Sequence, residues 1–518
     1  MHHRSAGLRQ RGLKGWQSIE RLFDAAFGSR FNPLRHLGAI GVIAILLLAA
    51  SGTILYIVLD TSASGAHRSI DTLAAHPAGR LLRGMHRYSA DVLVIALGLH
   101  LLREFLTGHE RGFRRVSWLT GIPLVAFVFF AAIGGFWLNW DQLGQYSATA
   151  TAEWIDALPL LAAPMSRNFL VADAVSDRLF SLFIFVHIGV SLMLVFGLWF
   201  HVRRISRPSV MPPRRLVLGL VGVLAAMALA WPIASHAPAS LASVPSALRL
   251  DWILLFIHPL MDATSPGFTW ALVGGGFLVL FALPFMPQPR PAAVAVVDPA
   301  NCNGCQRCFA DCPYAAITMV PHPNQRVGRL LAQVDPDLCA SCGICAGACP
   351  SSTPFRRAED LLTGIDMPQS TIDQLRRRLR ESIAASTARR PLVIFGCQHG
   401  ASTTDMAASD VSNLELLCAG QLPPSFVEYT LRDGAAGVLV APCRECDCEF
   451  RFGERWTIDR LLGRREPHLR AGVADGRLAL VPASKGDEPA LAASLARLRE
   501  QVESMPLEAS LGSRRRHA

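Results

Sequence analysis

The chain has 518 residues, 51% of them hydrophobic, with a formal net charge of +10 and a mean hydropathy of +0.31. Positive hydropathy excludes an ordinary soluble protein, and the length leaves room for three or four domains. The arginines gather beside the ends of apolar segments, so the excess charge is read as membrane orientation, and nucleic acid is excluded as a partner.

Residues 1–36 are basic, and Trp16, Ile19, Leu22, Phe23 and Phe27 form an amphipathic stripe. This predicts a helix lying on the inner membrane surface, with a flexible basic tail as the plain alternative. No apolar core precedes residue 37, so no signal peptide is expected. Six apolar segments follow, at about 37–59, 86–107, 117–138, 178–201, 215–233 and 268–286. Each approaches the ~20 residues a helix needs to cross a bilayer. The loop His109–Arg115 and the cluster Arg203, Arg204, Arg207, Arg214 and Arg215 place two loops and the N-terminus in the cytoplasm. Loops 60–83, 139–177 and 234–267 then lie outside. Six spans return the chain to the cytoplasm, which predicts a multi-pass protein of a bacterial-type inner membrane with both termini inside.

In span two stand His86 and His100; in span four stand His187 and His201. Each pair is separated by 14 residues, almost four helical turns, so its members share one face about 21 Å apart. The two spans run in the same direction, which matches His86 with His187 near the outer surface and His100 with His201 near the inner one. Two bis-histidine haems stacked across the bilayer follow, since neutral imidazole is a suitable axial ligand. Helix-packing or proton-relay histidines are the plainer reading, but two pairs at one spacing disfavour it. Gly38 and Gly52 in span one, and Gly121 and Gly135 in span three, repeat the same interval and are expected to make room for two plates. Arg83 and Arg103, three residues outside the ligands of span two, are candidate propionate partners.

This pattern of four histidines and four glycines over roughly residues 30–205 resembles the N-terminal four-helix domain of the cytochrome b family of quinol-oxidising complexes. The resemblance implies non-covalent b haems on these ligands, and leaves open a homodimer. The segment Leu250-Asp251-Trp252-Ile253 is similar to the family's Pro-Glu-Trp-Tyr motif, with Asp251 for the glutamate and no proline. That makes Asp251 a candidate proton acceptor from quinol and His258 a second candidate for the same pocket. An interfacial Asp-Trp pair anchoring a helix is the alternative.

The Pro-rich stretch Pro284–Pro291 is a linker, and all 13 cysteines lie beyond it. An odd number in metal-site spacing argues against disulfides and for a reducing compartment. Cys302, Cys305, Cys308 and Cys312-Pro313 form a run that recurs as Cys339, Cys342, Cys345 and Cys349-Pro350. Tight turns let three thiolates grip one cubane while the fourth ligand crosses to the other. Cys302, Cys305, Cys308 and Cys349 are assigned to one [4Fe–4S] cluster, and Cys339, Cys342, Cys345 and Cys312 to the second. The segment resembles two-cluster ferredoxins.

Residues 391–485 read as strand, strand, helix, strand, helix, strand. Cys397, Cys418 and Cys443 follow three strand-like runs, and residues at the carboxyl ends of parallel strands converge on one crevice. Cys448 or Cys446 can supply a fourth thiolate for a [2Fe–2S] cluster, with structural zinc or a redox disulfide as alternatives. The features Cys418-Ala419-Gly420, Asp433–Val438 and Cys443-x4-Cys448 resemble the delta (iron–sulfur) subunit of methyl-viologen-reducing hydrogenase. That family begins with Cys-x2-Cys, where this chain has Gly400 as the second member. The resemblance therefore favours Cys397, Cys418, Cys443 and Cys448, and leaves Cys446 spare or substituting.

The expected architecture is multidomain. A basic segment 1–36 precedes an all-α bundle of six spans, divided into a di-haem domain 37–205 and a two-helix part 206–290. A ferredoxin-like α+β two-cluster domain 291–356, a connector 357–390 with one amphipathic helix near Ile372–Ile383, an α/β domain 391–485 and a helix with basic tail 486–518 complete it. No Gly-x-Gly-x-x-Gly fingerprint precedes a helix, so flavin or nicotinamide chemistry is assigned to another subunit. The expected function is a membrane subunit of a multi-subunit oxidoreductase. It would relay electrons between soluble flavin- or iron–sulfur-containing cytoplasmic subunits, resembling heterodisulfide reductase or hydrogenase components, and membrane quinone. A conduit to a periplasmic protein acceptor without a quinone site is the main alternative; a structural anchor with idle haems is a weaker one.

Overall fold

The computed structural model describes residues 2–158, 163–169, 175–204, 210–242, 247–286, 293–323, 329–350 and 362–505. It divides into two compact units, Met1–Pro287 and Gln288–Ala518.

In the first unit the N-terminal stripe forms α1 (His2–Phe27). Trp16 and Glu20 are buried while Leu8, Ile19, Leu22 and Phe27 are exposed, so one face meets protein and another is left for lipid. The long helices follow: α2 (Leu37–Val58), α4 (Pro77–Thr107), α5 (Arg115–Trp137), α7 (Asp177–Arg204), α8 (Arg214–Ala230) and α10 (Pro266–Ala282), with short α3 (Ala66–Ala74), α6 (Gln142–Asp156) and α9 (Ile257–Ala263) between them. Helix boundaries follow local chemistry. Pro77 opens α4 and Gly108, at φ +90, closes it in the left-handed region. Asp141 caps α6 through the Gly144 N–H, and Ser265 caps α10 through the Phe268 N–H.

All six apolar segments are therefore helical. By length and composition, Leu37–Val58, Arg115–Trp137, Asp177–Arg203 and Pro266–Phe285 can cross a membrane. The helix α4 is longer, with 31 residues, and carries several arginines; α8 has 17 residues. Ile57, Phe185, Leu218 and Leu278 are large, apolar and exposed on these helices, as expected where lipid is the solvent. α2 packs on α4, and α5 on α7. The described parts of the loops that include His67, Gln142 and His236 share one end of the bundle: His67 Nε2 lies 2.9 Å from the His236 carbonyl, and the Gln142 N–H donates to the Ala237 carbonyl at 2.9 Å. At the opposite end Arg9 forms a double hydrogen bond with Glu110, at 2.9 and 3.1 Å.

The second unit begins with two small antiparallel sheets. β1 (Val296–Val297) pairs with β4 (Ile365–Asp366), and β2 (Ile317–Pro321) with β3 (Leu330–Val334). Each cysteine run winds into a one-turn helix, α11 (Arg307–Asp311) or α12 (Ile344–Ala348). The runs share their backbone: Gly304 and Ser341 have φ of +71 and +60, and Gln306 and Gly343 have φ of +63 and +75. A left-handed residue on either side of the second cysteine folds three thiols toward one point.

The remainder is a parallel sheet in the order β6-β5-β7-β8, built from β5 (Leu392–Cys397), β6 (Val411–Leu416), β7 (Gly437–Ala441) and β8 (Leu478–Leu480). Leu392, Val393, Ile394 and Phe395 are all buried, as befits a central strand covered on both faces. One face is covered by α13 (Ile372–Ala385) and α14 (Ser425–Arg432), with α15 (Gly453–Leu461) beside them; α16 (Glu488–Glu503) covers the other. Residues 357–390 were expected to be a connector. Of these, 357–361 lie outside the described residues, and the rest is integral: Ile372, Leu375, Leu379 and Ile383 fill the sheet's core, because an amphipathic helix beside an apolar sheet buries its stripe.

Candidate redox centres

Helices α4 and α7 bring His86 and His187 together edge-on, with ring centroids 6.4 Å apart and planes inclined at 61°. Each of the four glycines stands against one histidine. A Cβ on Gly52 would lie 3.0 Å from His86 Cε1, on Gly135 3.1 Å from His187 Cε1, on Gly38 3.4 Å from His100 Cε1 and on Gly121 3.2 Å from His201 Cε1. The expectation that these glycines clear space for a plate is thus refined: the nearest atoms belong to the imidazoles themselves, and a side chain here would push the ring along its helix.

In three of the four rings Nδ1 is hydrogen-bonded, and in the fourth it faces a carboxylate. His86 Nδ1 lies 3.0 Å from Ser51 Oγ, His187 Nδ1 2.8 Å from the Ala131 carbonyl, and His201 Nδ1 3.0 Å from Thr120 Oγ1. His100 Nδ1 is 3.9 Å from Glu104 Oε1. Ser51 already donates to the Leu47 carbonyl and Thr120 to that of Val116, so both hydroxyls accept from Nδ1–H. This tautomer leaves Nε2 with a free lone pair. Ser51 and Thr120 were missed from sequence; the signal is a hydroxyl residue directly before a repeat glycine, Ser51-Gly52 and Thr120-Gly121.

Arg83 donates to Ser235 Oγ at 2.9 Å, while its Nη1 is buried without a hydrogen-bond partner among the described residues. Arg103 Nε donates to Glu20 Oε1 at 3.0 Å. Asp251 forms an ion pair with Arg87, and its Oδ1 accepts from the Leu254 N–H at 2.8 Å. The carboxylate is therefore both capped onto a turn and charge-paired. His258 is 1% exposed and its Nε2 lies 3.0 Å from Ser147 Oγ. Burial pushes it down to about 4, so it is neutral near pH 7. The Tyr146 ring stands edge-on to His258 at 5.9 Å, and its hydroxyl donates to Asp262 Oδ2 at 2.5 Å.

In the second unit Cys302, Cys305, Cys308 and Cys349 line one small cavity, and Cys312, Cys339, Cys342 and Cys345 line another. The fourth cysteine of each run has crossed to the other's cavity. Burial, with neighbouring thiolates, pushes Cys308 and Cys342 up to about 12. Two such thiols side by side in one of these cavities would not ionise without a cation bound between them. At the carboxyl ends of β5, β6 and β7, Cys397, Cys418 and Cys443 meet. Cys443 Sγ is 3.5 Å from Cys397 Sγ, and Cys397 is held low because it accepts from both Cys418 and Cys443. Cys448 joins the same cluster; the side chain of Cys446 lies outside the described residues. No group of three or more His, Cys, Asp or Glu among the described residues is arranged to hold a single metal ion.

Residues 23–207 match the family Cytochrome b/b6/petB, residues 301–353 the 4Fe-4S dicluster domain, and residues 393–506 the delta subunit of methyl-viologen-reducing hydrogenase. Cytochrome b6 of Prochlorothrix hollandica is 29% identical over 155 residues, which are 29% of this chain and 70% of that protein. A solved chain titled Hyperthermophilic respiratory Complex III is 18% identical with a TM-score of 0.39, covering 48% of this chain and 75% of that one. The chain joins three segments, each matching a known redox family. It is a membrane electron-transfer subunit.

The cytochrome b match implies haem and the dicluster match implies iron–sulfur clusters. The residues fit both groups. With a metal–imidazole bond of roughly 2 Å, the 6.4 Å between the centroids of His86 and His187 accommodates an iron between two Nε2 atoms. The buried Nη1 of Arg83 is a donor suited to a propionate. The two cysteine-lined cavities answer to cubanes.

Proposed function

We propose that the chain relays electrons between cytoplasmic redox subunits and membrane quinone through five centres. His86 and His187 hold an outer b haem and His100 and His201 an inner one. The two crossed sets of four cysteines hold [4Fe–4S] clusters. Cys397, Cys418, Cys443 and Cys448 hold a [2Fe–2S] cluster, on which a soluble flavin- or iron–sulfur-containing subunit resembling hydrogenase or heterodisulfide-reductase components docks. When bound, these groups supply one-electron chemistry. The observation that carries the reading is the two-level match of one glycine and one histidine in each helix pair. It supports a ladder of two haems within four helices; the Arg9–Glu110 contact supports an N-terminus on the side of the His109–Arg115 loop.

Around the quinone the chain's own residues handle protons. Neutral His258 has a ring nitrogen able to accept, and Tyr146 and Asp262 lead from its buried position toward an exposed carboxylate. Asp251 acts as acceptor only when it leaves Arg87. That ion pair is also what favours the second reading, a conduit to a periplasmic protein acceptor with no quinone site.

The test is a purified complex in two samples, one reduced with dithionite to count haems and one left oxidised and mixed with a quinol analogue. Two b haems per polypeptide, reduced by the quinol, are expected. A single haem sinks the ladder; two haems inert to quinol, but oxidised by an outer protein, shift the conclusion to the conduit.

A further inference from the structure

The C-terminal unit buries a guanidinium where two cofactor-holding regions meet. Arg460, in α15, is 0% exposed. Its Nη1 donates to the Gly420 carbonyl at 2.8 Å; its Nη2 donates to Asp311 Oδ2 and to the Ile344 carbonyl, the latter at 3.4 Å. Arg465 pairs with the other oxygen of Asp311, its Nε at 2.8 Å, and lies over the Trp456 ring at 3.6 Å. Trp456 Nε1 donates to the Asp311 carbonyl at 3.2 Å. Two arginines therefore share one buried aspartate, leaving one positive charge in excess.

Every anchor of Arg460 is next to a cysteine. Asp311 precedes Cys312, Ile344 precedes Cys345, and Gly420 stands two residues after Cys418. The Gly420 N–H donates to Cys418 Sγ at 3.4 Å, so the bond that holds its carbonyl also fixes a donor aimed at sulfur. Two glycines let the loops close on one another, their bare backbone packed against Ile344 and the cysteine sulfurs. A Cβ on Gly420 would lie 2.8 Å from Ile344 Cγ1, and one on Gly453 would run into Cys418 Sγ while lying 3.5 Å from Cys448 Sγ and 3.7 Å from Ile344 Cδ1.

The internal repeat supplies an independent observation. The place held by Asp311 in the first cysteine run is held by Ala348 in the second. The fold of the run does not require an acid there, and this one is present where α15 arrives. A buried excess positive charge favours the more negative, reduced form of a nearby cluster, and does so strongly in a low-dielectric interior.

We propose that Arg460 is a positioning residue that raises the reduction potentials of the second [4Fe–4S] site (Cys312, Cys339, Cys342, Cys345) and of the third site together, making them a matched pair for electron exchange, with Asp311 opposing it. The inference rests on reading both cysteine sets as clusters. The step is transfer of one electron from one site to the other; no bond forms and no proton moves.

The test is a redox titration of the full chain in detergent, followed by electron paramagnetic resonance and by haem absorption. In Arg460→Gln the potentials of the second and third sites fall, while that of the first cluster and the haem bands stay in place. Arg460→Lys recovers part of the shift, and Asp311→Asn moves the same two potentials upward. Wild-type signal intensity with unmoved potentials in Arg460→Gln overturns the proposal. If Arg460→Gln does not assemble the sites, the partly exposed Arg465→Gln decides, a fall at both sites supporting the proposal and no change overturning it. A wild-type chain without iron–sulfur signals overturns the cluster reading itself, and this inference with it.

Discussion

The two halves of the chain place their metal-binding side chains by opposite means. In the membrane half the groups are far apart in sequence and set by a period: one interval of 14 residues fixes both histidines on each of two helices and both glycines on each of two more. In the C-terminal half they are set by local turns and strand ends. Left-handed residues fold Cys302, Cys305 and Cys308 around a cavity, and three parallel strands deliver Cys397, Cys418 and Cys443 to one crevice. A helical ladder has two rungs that fail separately, whereas losing the fourth cysteine of either run strikes the site built on the other run.

The largest effects test that contrast. His187→Ala removes the outer b haem and leaves the inner one, halving haem per polypeptide in a pyridine haemochrome assay. Cys349→Ala, although in the second run, bleaches the first cluster and spares the second, because Cys349 lines the cavity of Cys302, Cys305 and Cys308. Loss of the second cluster alone would break the crossed assignment.

A weaker blow tests the glycine rule. Gly135→Val sets a branched side chain where even a Cβ would lie 3.1 Å from His187 Cε1, so the outer haem is lost or its spectrum shifts. Gly275→Val, at a glycine of α10 with nothing within 4 Å, leaves both haems unchanged. Equal behaviour of the two variants would refute a specific role for the repeat glycines.

Subtler still is the hydroxyl behind each ring. Ser51→Ala removes the acceptor for His86 Nδ1, a bond of about 1 kcal/mol. The outer haem remains, but its midpoint potential moves and the inner one stays. Thr120→Ala does the converse through His201. A redox titration in which either variant moves both haems equally would remove the rung-by-rung account.

Periodicity and motif spacing are one-dimensional signals, so the histidine and glycine intervals, the duplicated cysteine run and the strand-end cysteines are all visible before any coordinates. What remained hidden depends on contacts between distant segments. That Arg103 is held by Glu20 requires α1 to fold back along α4. That Asp251 meets Arg87 requires a loop to return to the bundle end. Asp311 and Arg460 are 149 residues apart, and nothing in either neighbourhood announces the other. Residues 357–390 read as a connector because an amphipathic helix shows that it has a partner without showing which; α13 finds its partner in the following sheet.

That helix gives the smallest prediction. Thr371 caps α13 by accepting from the Gln374 N–H at 3.1 Å, and the Thr371 N–H donates to Gln374 Oε1 at 3.1 Å. Replacing the cap by alanine costs about 1 kcal/mol. Because α13 buries Ile372, Leu375, Leu379 and Ile383 against the sheet that ends in the third site's cysteines, Thr371→Ala lowers the temperature at which the third site bleaches. The proposed haem ligands stand on helices of the other unit, so the Soret band is expected to keep its wild-type melting temperature. A parallel shift of both transitions would show that the units melt as one and that the contrast between a helical ladder and a looped relay does not extend to stability.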